Sequence, residues 1–232
     1  MTTATATLYL SRIVPDLRSR KARYMLGRPG QLYAGLLEAF APHSIPHHDT
    51  ATEAGVERGL LYRVEQSRSG PQTSILVQSN AEPDWLRFAG IHPETLAPEH
   101  PPESKEFSPD LLRGDRLRFR LRANPTKSLP GKEIAPGKRS RGRVIAIQEE
   151  HAQLKWLEAK LEGALNMESA RVIDEGRRCR IVPSHGQGTQ LRSALFDGFG
   201  SVENPERLRH LLASGVGRGR AYGFGLLSLA RI

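Results

Sequence analysis

The sequence predicts an α+β protein made of two tandem ferredoxin-like domains. Segments with the two-residue alternation of strands and segments with the spacing of amphipathic helices are mixed in both halves of the chain. The order strand, helix, strand, strand recurs in each half, and a proline-rich stretch separates the halves. With 232 residues, 38% of them hydrophobic, the chain is long enough to bury a core in each domain.

The first half carries the patterns of three strands and one helix. They predict, in order, a strand at 8–14, a helix at 31–40, and strands at 60–66 and 73–79. Residues 92–110 then contain five prolines, which prevent a continuous helix or sheet. We therefore assign residues 92–110 to a linker between an N-terminal domain, 1–91, and a C-terminal domain, 111–232.

The second half repeats the mixture of strands and helices. Its patterns predict a strand at 116–123, a helix at 148–161, strands near 171–182 and at 190–196, a helix at 205–213 and a last strand at 223–229. In both halves the helices are expected to cover one face of the sheet.

The strand at 116–123 alternates strictly between apolar and basic residues. Leu117, Phe119 and Leu121 share one face, and the other face carries Arg118, Arg120 and Arg122. Arginines two positions apart on a strand lie roughly 6.6 Å from each other, so the row could follow successive phosphates of a nucleic acid. The alternative is the solvent-exposed side of a half-covered antiparallel sheet.

The charge of the chain favours a polyanionic partner. The formal net charge is +9, and residues 112–143 alone hold eleven Lys or Arg residues and two acidic ones. Nucleic acid is favoured over a membrane because no apolar run approaches the roughly 18 residues of a spanning helix. The N-terminal residues do not resemble a signal peptide, which predicts a cytoplasmic protein. A single cysteine, Cys179, excludes an intramolecular disulfide and a cysteine-rich zinc site.

A predicted basic loop follows the arginine strand. Proline breaks the strand after Asn124, and the loop carries Lys127, Lys132, Lys138, Arg139, Arg141 and Arg143. A loop of this composition suits a duplex groove or backbone, where each neutralised phosphate adds salt-dependent affinity. The alternative is a solvated loop with a basic bias.

A glycine-rich stretch at 215–228 precedes and enters the last predicted strand. Glycine permits positive φ and close approach, so backbone amides from Gly215 and Gly217 onward can form an anion-binding concavity, with charge from Arg218 and Arg220. The alternative is a flexible basic turn, since glycine motifs alone are weak signals.

Six segments together resemble the CasE family, the repeat-processing endoribonucleases of type I-E CRISPR systems. They are 8–13, 31–36, 117–127, 152–157, 194–198 and the glycine-rich loop running into 225–228. The resemblance implies two ferredoxin-like domains that grip an RNA stem-loop and cut at the 3′ base of the stem without a metal or another cofactor. It also implies that the protein stays bound to the repeat RNA beside other Cascade subunits. Arg220 falls where the family loop usually has a lysine.

The chain departs from this family at the expected catalytic position. Similar proteins usually have histidine at the position of Tyr33, and a second tyrosine where this chain has Gly30. Metal-free RNA cleavage needs a group that removes the proton of the ribose 2′-OH and a group that protonates the leaving oxygen. With a reference pKa of about 10, a tyrosine can donate a proton at pH 7 but is a poor base.

Three roles for this position remain open. Tyr33 acts as a general acid with arginines that stabilise the transition state, another group takes over, or the protein binds RNA without efficient cleavage. Tyr33 can also serve as an amphipathic packing residue. Tyr24 is the nearest alternative phenol in sequence. His43, His47 and His48 follow the predicted helix; they belong to an exposed loop, take part in catalysis, or form a histidine–aspartate metal site, although their spacing fits no defined metal motif.

The interpretation we favour is a metal-independent endoribonuclease that yields a 5′-hydroxyl and a 2′,3′-cyclic phosphate, as the resemblance implies. The first alternative is a non-cleaving subunit that shields and anchors an RNA hairpin. A second alternative is a basic ferredoxin-like RNA binder outside CRISPR biology, which would show no preference for a repeat stem-loop.

Overall fold

The structure is a computed structural model with two antiparallel four-stranded sheets, each packed against helices. It describes residues 7–40, 59–66, 72–131, 133–135, 138–140, 142–173, 178–181 and 189–232.

The first sheet has the strand order β2-β3-β1-β4. Its elements in chain order are β1 (Leu8–Ile13), α1 (Arg20–Leu26), α2 (Pro29–Leu37), β2 (Leu60–Gln66), β3 (Thr73–Ser79), α3 (Trp85–Ile91) and β4 (Glu103–Phe107). The helices bury apolar side chains against one face of this sheet, where Leu36, Tyr62, Val77 and Phe88 belong to one core. The prediction of strands at 60–66 and 73–79 is confirmed residue for residue.

The second half repeats this arrangement with insertions. Its elements in chain order are β5 (Arg116–Ala123), β6 (Thr126–Leu129), β7 (Glu133–Ala135), β8 (Lys138–Arg139), β9 (Arg143–Ala146), α4 (Glu150–Leu161), β10 (Leu165–Ile173), β11 (Arg178–Ile181), β12 (Thr189–Arg192), β13 (Ala194–Val202), α5 (Pro205–Ser214) and β14 (Leu227–Arg231). The main sheet has the order β10-β13-β5-β14. In both halves the strands therefore follow one pattern, in which the first and third strands are central, and the predicted tandem ferredoxin-like fold is confirmed.

The predicted linker at 92–110 differs from the structure at one point. Residues 103–107 form β4, which pairs with β1 through contacts such as Ser11 with Ser104. The five prolines lie on either side of β4, so they leave this short edge strand intact. The first sheet thus extends beyond residue 91, the predicted end of the N-terminal domain.

The predicted basic loop is largely a β-hairpin. β6 pairs with β9, placing Lys127 opposite Ile145, and β7 pairs with β8 near the tip. We call residues 126–146 the basic arm. A second hairpin joins β11 to β12. Proline and glycine between the short strands hide their alternation in the sequence, which explains why a loop was predicted.

Glycines explain two shifted strand boundaries. β13 runs on to Val202, beyond the predicted end at 196, and includes Gly198. A side chain at Gly198 would meet the Phe119 ring at 2.4 Å. Glycine is required there for close packing and does not break the strand. β14 begins at Leu227, after the predicted start at 223, because Gly223 and Gly225 have positive φ. The prediction near 171–182 covers only the end of β10 and then β11.

Helix predictions were right for α2, α4 and α5 within a few residues, while α1 and α3 were not predicted. Proline occupies the first turn of α2 and α5, where its missing amide costs no hydrogen bond. None of the helices in the described ranges combines the length and the hydropathy needed to cross a membrane.

A buried arginine connects the two domains. The Arg63 side chain on β2 is 2% exposed, and its guanidinium donates to the carbonyl oxygens of Leu226 (3.0 Å) and Arg120 (3.3 Å) and to Ser228 Oγ (2.9 Å). Glu65 balances its charge at 2.7 Å. Burial lowers the pKa of Arg63, and the Glu65 carboxylate opposes this change. The side chain therefore fixes β2 against the backbone of β5 and β14.

We expect Arg63→Met to lower the free energy of unfolding by about 3 kcal/mol, because two buried carbonyl oxygens and Glu65 lose their partner. Urea denaturation followed by circular dichroism measures the change. The matched control is Arg12→Met, which replaces an exposed arginine on β1 and should stay within about 0.5 kcal/mol of the wild type. Similar losses in the two variants would contradict a special role for Arg63.

Candidate nucleic-acid interface

The glycine-rich loop and the start of α2 meet at the junction of the domains. A 3-10 turn at Arg220–Tyr222 packs against α2 and β2. The Cε1 atom of Tyr222 lies 3.6 Å from the position that a side chain at Gly30 would take. The hydroxyl of Tyr62, on β2, donates to the Pro29 carbonyl oxygen at 2.8 Å. Residues far apart in sequence therefore form one continuous surface.

Tyr33 lies on α2 near this junction, one helical turn after Gly30. It is half-buried and packs against the core of the first domain. Its ring centroid is 6.4 Å from that of Tyr62. The expected packing role of Tyr33 is thus observed, while its role in chemistry stays a prediction.

Tyr24 lies on α1, the helix that packs against α2. Its ring is 49% exposed, and the Arg28 guanidinium carbon lies 4.0 Å from the ring centroid. Because Arg28 immediately precedes α2, this cation–π contact holds a positive charge at the start of the helix. Nothing in the sequence pattern identified Arg28.

The arginine row on β5 does not form the uniformly exposed face that the alternation suggested. Arg120 donates two hydrogen bonds to Asp197, both at 2.8 Å, and lies 3.9 Å from Glu65. Arg122 is 9% exposed and donates to the Val64 carbonyl oxygen. β2 covers this part of the sheet, so Arg120 and Arg122 face the other domain. Both side chains therefore have partners within the protein, and their predicted contact with RNA phosphates stays a prediction.

Arg118 differs from the other two members of the row. Its side chain is 44% exposed and lies 3.7 Å from Asp197. Arg171, on the neighbouring β10, approaches the same carboxylate at 3.8 Å and is 65% exposed. One buried carboxylate thus faces three arginines, and the cluster presents a surplus of positive charge at its exposed edge. The sequence signal for Asp197 is a lone acidic residue in an otherwise uncharged strand.

The glycine-rich loop has the backbone that was predicted for it. Gly215, Gly217, Gly219, Gly223 and Gly225 all have positive φ, between 74° and 91°. A side chain at Gly217 would lie 3.0 Å from the Trp156 ring, so the loop packs closely on α4.

One amide of the predicted anion-binding loop already has a partner within the protein, and the role of the loop in binding phosphate stays a prediction. The Gly215 amide donates to Leu211 at 2.9 Å and ends α5, and the Gly225 amide donates to Arg122 at 2.8 Å. These internal hydrogen bonds take the two amides away from any phosphate. Charge in the loop comes from Arg218, which is exposed, and Arg220, which is half-buried.

The basic arm carries exposed cations on its described strands. Lys127 on β6 and Arg143 on β9 are both exposed, and the backbone of Lys138 and Arg139 forms β8. The predicted residues Lys132 and Arg141, together with His43, His47 and His48, lie outside the described residues. Among the residues that are described, no three His, Cys, Asp or Glu side chains are grouped as metal ligands.

The sequence matches known proteins along almost its whole length. A family model described as CRISPR associated protein covers residues 8–231. The chain is 36% identical to the CRISPR-associated endoribonuclease Cse3 of Thermus thermophilus over 234 residues, 96% of this chain and 100% of that protein. It belongs to the CasE/Cse3 family. The Cascade subunit CasE of Escherichia coli K12 is 27% identical over 226 residues, with 96% of this chain and 99% of that protein covered.

A solved structure of the same family has a similar fold. Thermus thermophilus Cse3, bound to an RNA that represents a pre-cleavage complex, superposes with a TM-score of 0.70 and 32% sequence identity. The match covers 97% of this chain and 99% of that one. The family membership inferred from the sequence motifs is therefore confirmed.

We expect Asp197→Asn to lower the free energy of unfolding by about 3 kcal/mol. The substitution removes the buried carboxylate, leaving Arg120 without its bidentate partner and three arginines that repel one another. Added salt should recover part of the loss by screening this repulsion. The control is Asp110→Asn, an exposed carboxylate, which should change stability by less than about 0.5 kcal/mol. Equal melting curves for the two variants would show that Asp197 is not the counter-ion of the cluster.

Proposed function

We propose that this protein processes CRISPR RNA. It binds the stem-loop of the precursor repeat, cuts at the 3′ base of the stem without a metal, and stays bound to the product as a Cascade subunit in the cytoplasm. The observation that carries the proposal is the end-to-end match to Cse3, a named endoribonuclease whose structure holds a pre-cleavage RNA.

The distribution of exposed charge supports RNA binding. Arg118 and Arg171 project from the second sheet, Arg218 from the glycine-rich loop, and Lys127 and Arg143 from the basic arm. Phosphate contacts of this kind position an RNA backbone without reading its sequence. Arg120 and Arg122 support the site indirectly, because they hold the two domains together.

The reaction is attack of the ribose 2′-oxygen on the adjacent phosphorus. The bond from phosphorus to the 5′-oxygen breaks, the 2′-OH proton is removed by a base, and the leaving 5′-oxygen takes up a proton. The products are a 2′,3′-cyclic phosphate and a 5′-hydroxyl. Tyr33 is suited to supply the proton to the leaving oxygen, because an ordinary phenol is protonated at neutral pH. Arg220, in the turn that packs against α2, is suited to stabilise the charge on the phosphate.

The second candidate function is RNA binding without efficient cleavage. It is favoured by the contact between the Tyr33 and Tyr62 rings, which is a sufficient structural reason for an aromatic residue at this position. In that case the protein shields and anchors the RNA hairpin, and another activity generates its end.

Substitution of Tyr33 separates the two functions. If the phenol is the acid, the wild type cleaves its cognate repeat RNA in excess EDTA, and Tyr33→Phe lowers the single-turnover rate roughly 100-fold or more with little change in Kd. Tyr24→Phe tests the other candidate phenol in the same way. Tyr9→Phe, at a half-buried tyrosine on β1, is the matched control and should cleave at the wild-type rate. Cleavage that occurs only after Tyr33→His would instead establish the binding function.

The basic arm makes a separate prediction about affinity. We expect the double variant Lys127→Ala, Arg143→Ala to weaken repeat RNA binding and to flatten the plot of log Kd against log salt by about 2 units, because each cation neutralises about one phosphate. Fluorescence anisotropy at several salt concentrations measures both effects.

The control for the arm is the double variant Lys155→Ala, Arg207→Ala, which removes exposed cations on α4 and α5. An equal change of slope in the two double variants would contradict a specific role of the arm. Competition with an unrelated hairpin at fixed salt tests the repeat preference, and equal affinity would favour a general RNA binder.

A further inference from the structure

A cavity opens at the junction of the domains, beside the start of α2. Its volume is about 100 Å³, and it is partly open to solvent. The lining comes from both domains and includes Pro29, Tyr62, Arg122, Ser193, Tyr222 and Phe224. Most of the lining residues are apolar or aromatic, and Arg122 and Ser193 add a guanidinium and a hydroxyl. Among the described residues that line it, Arg122 is the charged one.

The aromatic walls of the cavity are held in place. Tyr62 is 1% exposed, and its hydroxyl donates to the Pro29 carbonyl oxygen. Arg122 is anchored by its hydrogen bond to the Val64 carbonyl oxygen. Gly223, with φ 83°, ends the turn that carries Tyr222. A pocket whose walls are fixed before binding loses little conformational entropy when a ligand enters.

Tyr222 closes the cavity over the exposed residue Gly30. Its ring is partly exposed and lies 3.6 Å from the position of a side chain at Gly30. A methyl group at Gly30 would make ordinary van der Waals contact with the ring, so the Tyr222 ring lies directly over the first turn of α2. Tyr33 follows on the same helix, one turn later, and Arg220 lies two residues before Tyr222.

We propose that this cavity binds one unpaired nucleobase of the RNA, and that Tyr222 stacks on that base. Sequence-specific RNA recognition mostly uses bases that have left the helix, which stack on aromatic side chains or arginine planes. The cavity offers an aromatic ring, an arginine and a hydroxyl in a space suited to one planar ring. Because the cavity lies beside the candidate acid, the bound base would orient the ribose of a neighbouring nucleotide toward Tyr33. Tyr222 is then a positioning residue. This inference rests on the proposed function.

The test pairs Tyr222 variants with RNAs that lack a single base. Repeat stem-loop RNAs carry one abasic nucleotide at each unpaired position flanking the stem in turn, with a 2′-deoxyribose at the cut site for binding measurements. We expect Tyr222→Ala to weaken binding of the intact RNA by roughly 10-fold, the range of one base–aromatic stack. One abasic position should cause a similar loss, and the variant combined with that RNA should lose no more than either change alone.

Cleavage supplies a second readout. These measurements use RNA that keeps the ribose at the cut site, with protein at saturating concentration. Tyr222→Ala should still lower the single-turnover rate, because saturation restores binding but does not correct the position of the ribose. Tyr222→Phe should keep both affinity and rate within about twofold, since it retains the ring. Tyr222→Leu keeps an apolar side chain of intermediate size but no ring, so it should resemble the alanine variant. It separates the loss of stacking from a folding defect caused by an empty space. Thermal melting confirms that each variant is folded.

Phe199→Ala is the control, because it removes a 40% exposed ring on β13 that does not line the cavity. Its effect should add to that of the abasic nucleotide. If the losses caused by Tyr222→Ala and by an abasic nucleotide add up at every position tested, while the wild type binds and cleaves normally, the base pocket is overturned and the proposed function stands. A wild type that does not bind the stem-loop would overturn the proposed function instead.

Discussion

The structure depends on one buried charge at the junction of the domains. The Arg63 guanidinium finds its partners in backbone oxygens of β5 and β14 and in the carboxylate of Glu65. A buried guanidinium without these partners would cost several kcal/mol, so the two domains are restricted to arrangements that satisfy it. In this arrangement the glycine-rich loop lies against α2. The candidate site is therefore a consequence of how the domains dock.

Docking also divides the arginines into two groups. Arg120 and Arg122 face the first domain. Asp197 on β13 and Glu65 on β2 compensate the charge of Arg120, and the Val64 carbonyl oxygen accepts a hydrogen bond from Arg122. Arg118 and Arg171 share the same carboxylate but remain largely exposed. A buried acid that holds several cations together reduces their mutual repulsion before RNA arrives. The side chains of Arg118 and Arg171 are then already close to the positions in which they would contact phosphate. Charges that are placed before the ligand arrives bind it more tightly, because they need not rearrange.

The sequence was sufficient for the fold because apolar strand and helix patterns mark the main elements of both sheets. The strand at 116–123 and those at 60–66 and 73–79 match the structure, and their order with the helices defines the tandem domains. The short strands of the basic arm escaped prediction because glycine and proline interrupt them. The fate of the β5 arginines could not be predicted, because Arg120 and its partner Asp197 are 77 residues apart. Alternation identifies a face of a strand, but not what covers that face.

The same reasoning explains why the site was only partly predicted. Positive φ in the glycine-rich loop follows from composition, whereas the contact between Tyr222 and Gly30 joins residues from opposite ends of the chain. In the proposed function a phenol replaces an imidazole, and loss of an efficient general acid or base slows the chemical step by roughly 100-fold to 10,000-fold. A protein that keeps its product as a subunit acts once per molecule, so the rate of one slow step does not limit repeated turnover. Accurate placement of the ribose then matters more than a matched pKa, and a rigid pocket for one base provides that placement.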